Sequence, residues 1–143
     1  MSPGAIDKAL VRRHLLAIDK AVHNLSRHVG KPIEDMEDDL DTLWAIERGL
    51  QLCAQNAIDI ATHIAVSAGC DAPDYASAIA ELGKIGILPV EFAKRFRGVA
   101  GFRNVLVHGY LGIETSRIHS VLNERLGDFT EFASYIEVHL AKD

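Results

Sequence analysis

Leu50-Gln51-Leu52-Cys53-Ala54-Gln55-Asn56-Ala57-Ile58-Asp59-Ile60-Ala61-Thr62-His63-Ile64 decides the fold. Its apolar positions Leu50, Ala54, Ala57, Ile58, Ala61 and Ile64 recur three and four residues apart, the period of a helix face. Leu40, Leu43 and Trp44 extend the pattern upstream, and no glycine or proline falls between Leu50 and Gly69. A long, central helix is expected, with the rest of the chain wrapped around it.

The flanking segments repeat the same period. Val11, Leu15, Ile18, Val22, Leu25 and Val29 form the seam of a first helix, stopped by Gly30 and Pro32. After the central helix, Asp71 and Pro73 mark the start of a short third one, packed through Tyr75, Ile79, Leu82 and Ile85 or Ile87 and ending near Gly83 and Gly86. A fourth helix opens with Pro89 in its first turn, carries Phe92, Phe96, Val99, Phe102 and Leu106, and ends near Gly109 and Gly112. Beyond Thr115 or Ser116, either a suitable N-cap, a last helix runs from Ile118 to Leu140, with Gly127 as a soft point. Strand period, internal repeats and low-complexity segments are absent from the sequence. The expected fold is all-α, an up-and-down helical bundle of about five helices forming a single domain over residues 1–143.

Composition narrows the function. At 143 residues and 48% hydrophobic, the chain can bury one sizeable core. Cys53 and Cys70 form no Cys-x-x-Cys pair, which argues against a disulfide framework or zinc ribbon and fits a reducing, cytoplasmic setting. The start of the chain lacks a basic segment followed by an apolar run, and later apolar stretches are interrupted by charge, so no export or membrane insertion is expected. A formal net charge of −5 speaks against binding nucleic acid through the overall field, so any RNA contact is expected to be local. Charge is uneven, however: residues 34–41 are strongly acidic, whereas Lys84, Lys94, Arg95, Arg97 and Arg103 gather beside one polar cluster.

That cluster is Arg103-Asn104-Val105-Leu106-Val107-His108-Gly109-Tyr110, which sets a cation, an amide, an imidazole and a phenol within about two helical turns. Arginine presents a forked, permanently charged donor set to phosphate oxygens, and histidine gives or takes a proton near neutral pH. On an unbroken helix Arg97, Gly101, Asn104 and His108 form one polar stripe, and Gly98 and Gly101 remove bulk beside it. Arg103 and His108 point about 140° apart, so one chain does not easily close both on one phosphate. Two copies across a two-fold axis bring a second arginine and a second histidine to one cleft. The plainer alternative pairs Arg103 with Glu47 or Asp59 of the central helix as a structural contact. Asp19 with His23 and Asp59 with His63 have metal-compatible spacing, but two ligands make a weak site and no metal or other cofactor is expected.

Gly101 to Tyr110 resembles the signature of HepT-type toxins of the HEPN superfamily: Arg, four residues, His, any residue, Tyr, here with Asn directly after the Arg. Ile46 to Leu52 and Ala57 to His63 are similar to that family's second helix, and Gly86-Ile87-Leu88-Pro89 to its lead-in to the motif helix. The resemblance implies a HEPN-like fold and a metal-independent endoribonuclease with a composite site at a homodimer interface, the toxin of a type II-like toxin–antitoxin system. On that reading Arg103 and His108 are catalytic, with His108 of each protomer as general acid or base and Arg103 stabilising charge on the phosphate oxygens. Asn104 orients the phosphate or the imidazole, and Arg97 assists. Tyr110 matches the tyrosine that a minimal nucleotidyltransferase antitoxin of the MntA type adenylylates, within a larger hetero-oligomer. The alternative is a noncatalytic HEPN helical module, the binding or scaffold subunit of a two-component nucleotidyltransferase.

Overall fold

A computed structural model describes residues 4–142, and every described element is helical. The helices are α1 (Lys8–Ser26), α2 (Glu34–Glu37), α3 (Leu40–Ser67), α4 (Tyr75–Lys84), α5 (Val90–Phe96), α6 (Val99–His108) and α7 (Thr115–Leu140). α3 is the axis of the bundle and packs against α1, α2, α4, α6 and α7. Cys53, Ala54, Ala57, Ile58, Ile60, Ala61, Ile64 and Ala65 are all buried, so α3 is apolar nearly all round, as a helix enclosed by others must be. Its small residues let neighbours approach: a Cβ on Gly49 would lie 2.7 Å from Leu25 Cδ2, and Leu25 is itself fully buried. Among the described residues no helix is long and apolar enough to cross a membrane.

The all-α bundle expected from periodicity is present, with local corrections. The fourth helix of the sequence reading is two, α5 and α6, broken at Arg97-Gly98. Both residues keep right-handed dihedrals, but the Ala100 N–H bonds back only three residues, to the Arg97 carbonyl at 3.2 Å. This tightened turn shifts the helical phase and interrupts the polar stripe drawn from Arg97 to His108. The acidic stretch contains a helical turn, α2, anchored by buried Met36. Its end also caps α3, since the Asp39 carboxylate accepts from the Asp41 and Thr42 N–H groups and the Thr42 hydroxyl, which together hold its carboxyl below the usual range. Asp74, rather than Asp71, caps α4 by accepting from the Ser77 N–H at 2.7 Å. Glu114, rather than Thr115 or Ser116, occupies the cap position of α7, which then runs through Gly127 without interruption. Trp44 is 60% exposed because Leu43, Ile46 and Leu50 take the inward face of α3, and Val29 is exposed because α1 has already ended.

An aromatic cluster locks α5 onto α7. Phe96 stacks on Phe132 with centroids 4.9 Å apart and meets Phe129 edge-on at 5.7 Å, while Phe92 meets Tyr135 at 5.2 Å. α6 follows directly, so this cluster fixes the root of the motif helix.

Past the end of α1, both ring nitrogens of His28 are covered and have no hydrogen-bond partner among the described residues. Burial first, then the charges of Lys31 and Arg27, lowers its pKa below 6.5. The unfolded chain therefore takes up a proton that the folded chain resists. Stability is complete above the unfolded pKa and falls as pH drops from there toward the folded pKa. The urea midpoint of the wild type is expected to fall between pH 7 and 5 more steeply than that of His28→Gln; parallel curves would contradict this.

Candidate functional site

Buried Val99, Ala100 and Phe102 seat α6, and the residues of the motif diverge from that seat. Arg103 turns toward α3 and α4. Its Nε donates to Gln55 Oε1 at 2.7 Å, its Nη1 donates to Asn104 Oδ1 at 3.0 Å, and the guanidinium lies 5.4 Å from the centroid of the Tyr75 ring. Gln55 Nε2 in turn donates to Asp59 Oδ1 at 2.8 Å, one turn along α3. A carboxylate can only accept from that amide, so the Gln55 carbonyl is left facing Arg103. Asp59, Gln55, Arg103 and Asn104 thus form a continuous chain of hydrogen bonds that, with the aromatic face, holds a half-buried guanidinium in one orientation.

His108, the last residue of α6, is exposed and faces the other way. It lines an open concavity of about 660 Å³ with Asn104, Gly112, Ile113, Glu114 and Arg117. Asn104 also borders a second concavity of about 620 Å³ with Pro73, Asp74, Tyr75 and Gly101. Asn104 is therefore the saddle between the arginine side and the histidine side. Nothing lies within 4 Å of where a Gly101 Cβ would sit, so the saddle is open to a bulky ligand.

After His108 the chain turns sharply. A Cβ on Gly109 would lie 2.6 Å from the Val105 carbonyl oxygen and 2.6 Å from Ile113 Cγ1, so only glycine allows this turn, and Gly112 follows at φ +127°. The turn leaves Tyr110 86% and Leu111 94% exposed, placing the phenol in reach of a second protein.

Arg97 stands apart from this group, in a groove of about 200 Å³ between α4 and α5 with Lys84 and Lys94. Arg103 pairs directly with neither Glu47 nor Asp59; Gln55 relays it to Asp59, while burial raises the Glu47 pKa. His63 Nε2 accepts the Asp7 N–H at 3.0 Å, so the Asp59 and His63 spacing serves two separate structural contacts. Three residues of the site escaped the sequence reading: Gln55, Tyr75 and Arg117. The Gln55 and Asp59 pair, four apart on an apolar helix, was the available signal for the first; Tyr75 read as core, and nothing local marked Arg117.

Fold and motif define a class: all-helical proteins presenting Arg-x4-His-x-Tyr at the end of a helix packed on a long central one. The chain belongs to the ribonuclease HepT-like family, whose model matches residues 18–136. It is 28% identical over 137 residues to the tRNA nuclease HepT of Aphanizomenon flos-aquae (strain 2012/KM1/D3), covering 94% of this chain and 92% of that protein. Among solved structures, it is similar to a chain of a toxin–antitoxin complex with AMP-PNP, with TM-score 0.81, 18% identity and coverage of 91% of this chain and 98% of that one. A tri-AMPylated Shewanella oneidensis HEPN toxin in complex with its MNT antitoxin matches with TM-score 0.79, 19% identity and coverage of 90% and 97%. These likenesses establish the HEPN fold.

Proposed function

We propose that the protein is a metal-independent endoribonuclease toxin, active as a homodimer and silenced by adenylylation of Tyr110. The observation that carries this reading is the opposed placement of a fixed Arg103 and an exposed His108 across Asn104. One protomer offers one cation and one proton carrier on divergent faces, and RNA cleavage by acid and base needs two proton carriers. A two-fold partner packed against α6 supplies the second.

In that cleft one His108 imidazole removes the proton of the ribose 2′-hydroxyl, whose oxygen attacks the adjacent phosphorus. The bond to the 5′ oxygen breaks as the second His108, from the partner, protonates it, leaving a 2′,3′-cyclic phosphate and a 5′-hydroxyl. Arg103, held by Gln55, stabilises the charge of the phosphorane, and Asn104 orients the phosphate. Arg97 contributes from outside this group, as a contact for the flanking RNA. The partner is a minimal nucleotidyltransferase of the MntA type, in keeping with the antitoxins bound in the similar structures.

The reaction depends on the 2′-hydroxyl. An RNA carrying a single 2′-deoxynucleotide on the 5′ side of its mapped cleavage position is expected to stay intact there; cleavage at the unmodified rate would exclude internal attack. Gln55 acts through Arg103 and is a positioning residue. Gln55→Ala is expected to lower kcat by about tenfold to a hundredfold, as displacement of a reacting group does, with KM changed far less. Equal kcat with a lowered melting temperature would make Gln55 merely structural.

A further inference from the structure

We propose that the cavity between α6 and α7, entered over Arg117, holds one nucleotide of the RNA strand next to the scissile bond. This rests on the ribonuclease reading above. Arg117 borders two spaces: the His108 concavity and a narrower cavity of about 250 Å³ floored by Phe102, Val121 and Phe129. The two are neighbours, with the Arg117 side chain bordering both.

The chemistry of the cavity is that of a nucleotide. A base needs apolar cover for its faces and a cation for its phosphate. Phe102, Val121 and Phe129 give the first. For the second, three guanidiniums, those of Arg95, Arg117 and Arg125, line a single cavity on a chain of net charge −5. Arg95 and Arg125 share the one lining carboxylate, Asp128, each at 3.5 Å, and Arg95 also reaches Glu131 at 3.1 Å. Arg117 has no ion pair among the described residues and rests its guanidinium 5.9 Å from the centroid of the Phe102 ring. It is thus an exposed cation, resting on Phe102, that borders both the histidine's concavity and the cavity of about 250 Å³. Two carboxylates border these spaces, Glu114 on the His108 side and Asp128 in the cavity, and Asp128 is already engaged by Arg95 and Arg125. An acidic segment of a protein partner would also meet arginines here, but it has no use for the apolar floor or for adjacency to His108.

The test measures binding of a short labelled RNA in the His108→Ala background, across salt concentrations, with and without Arg117→Ala and Arg117→Lys. Arg117→Ala is expected to weaken binding about tenfold, the scale of one charged hydrogen bond, and to flatten the dependence of log affinity on log salt by about 0.7. Arg117→Lys should keep the salt slope. In the active protein, Arg117→Ala should raise KM with kcat within a few-fold of wild type. Unchanged affinity and slope would overturn the subsite, and so would loss of antitoxin binding with RNA binding intact. Cleavage by wild type with unaltered RNA binding by Arg117→Ala removes the subsite and leaves the ribonuclease reading standing. No cleavage by wild type, with binding weakened by Arg117→Ala, overturns the ribonuclease reading and with it the place beside a scissile bond, and leaves Arg117 as an RNA contact only.

Discussion

His108→Ala is expected to lower kcat by about 10³-fold or more while leaving the melting temperature and oligomeric state unchanged. Acid–base catalysis by one positioned side chain contributes about 10²- to 10⁴-fold, and in a two-fold dimer the single substitution removes both the acid and the base. Structural cost should be small, because His108 is exposed at the end of α6 and makes no hydrogen bond among those described. Turnover at the wild-type rate would take His108 out of the chemistry. A large loss of stability would mean that the imidazole holds the turn at Gly109 rather than the substrate.

The second large effect concerns Tyr110. Incubated with an MntA-type nucleotidyltransferase and ATP, the protein should gain the mass of one or more AMP units and lose its RNA-cleaving activity. The phenol oxygen would attack the α-phosphorus of ATP, pyrophosphate would leave, and the phenolic proton would pass to a base of the transferase. The first AMP places a phosphate two residues from His108, where it repels RNA phosphates by charge and adds bulk beside the concavity, and any further AMP would be joined through a ribose hydroxyl of the one before it, again with loss of pyrophosphate. Tyr110 is suited to this because the turn at Gly109 leaves its side chain almost fully exposed. Tyr110→Phe should stay unmodified and remain active in the presence of the transferase. Modification of Tyr110→Phe would place the acceptor elsewhere, and an unmodified wild type would separate this chain from that mode of control.

Much of the fold was legible because α3 announces itself. An uninterrupted run from Leu50 to Gly69 with buried residues three and four apart admits few other readings, and Gly109 marked the end of the motif helix correctly. The break at Arg97-Gly98 was not legible, since Phe92, Phe96, Val99 and Phe102 keep a helical spacing across it and the two residues retain right-handed dihedrals. The helical turn at Glu34–Glu37 was not legible either, since its acidic run obscured the one anchor, Met36, that is buried. At the site, the local motif could be read from Arg103 to Tyr110, but its orientation is tertiary. Helical spacing already pointed Arg103 away from His108; the partner that holds it there is Gln55, 48 residues earlier, and Arg117 enters from the far side of the turn at Gly109. Periodicity places residues on faces; it does not say which distant side chain meets them.

The most direct measurement is cleavage of a defined RNA by wild type and His108→Ala in excess EDTA, with the product ends identified. Cleavage by wild type alone, leaving 2′,3′-cyclic phosphate and 5′-hydroxyl ends, is the result expected of acid–base chemistry by the two His108 side chains with Arg103 stabilising the phosphorane. Equal cleavage by both proteins, or products ending in 3′-hydroxyl and 5′-phosphate, would contradict it.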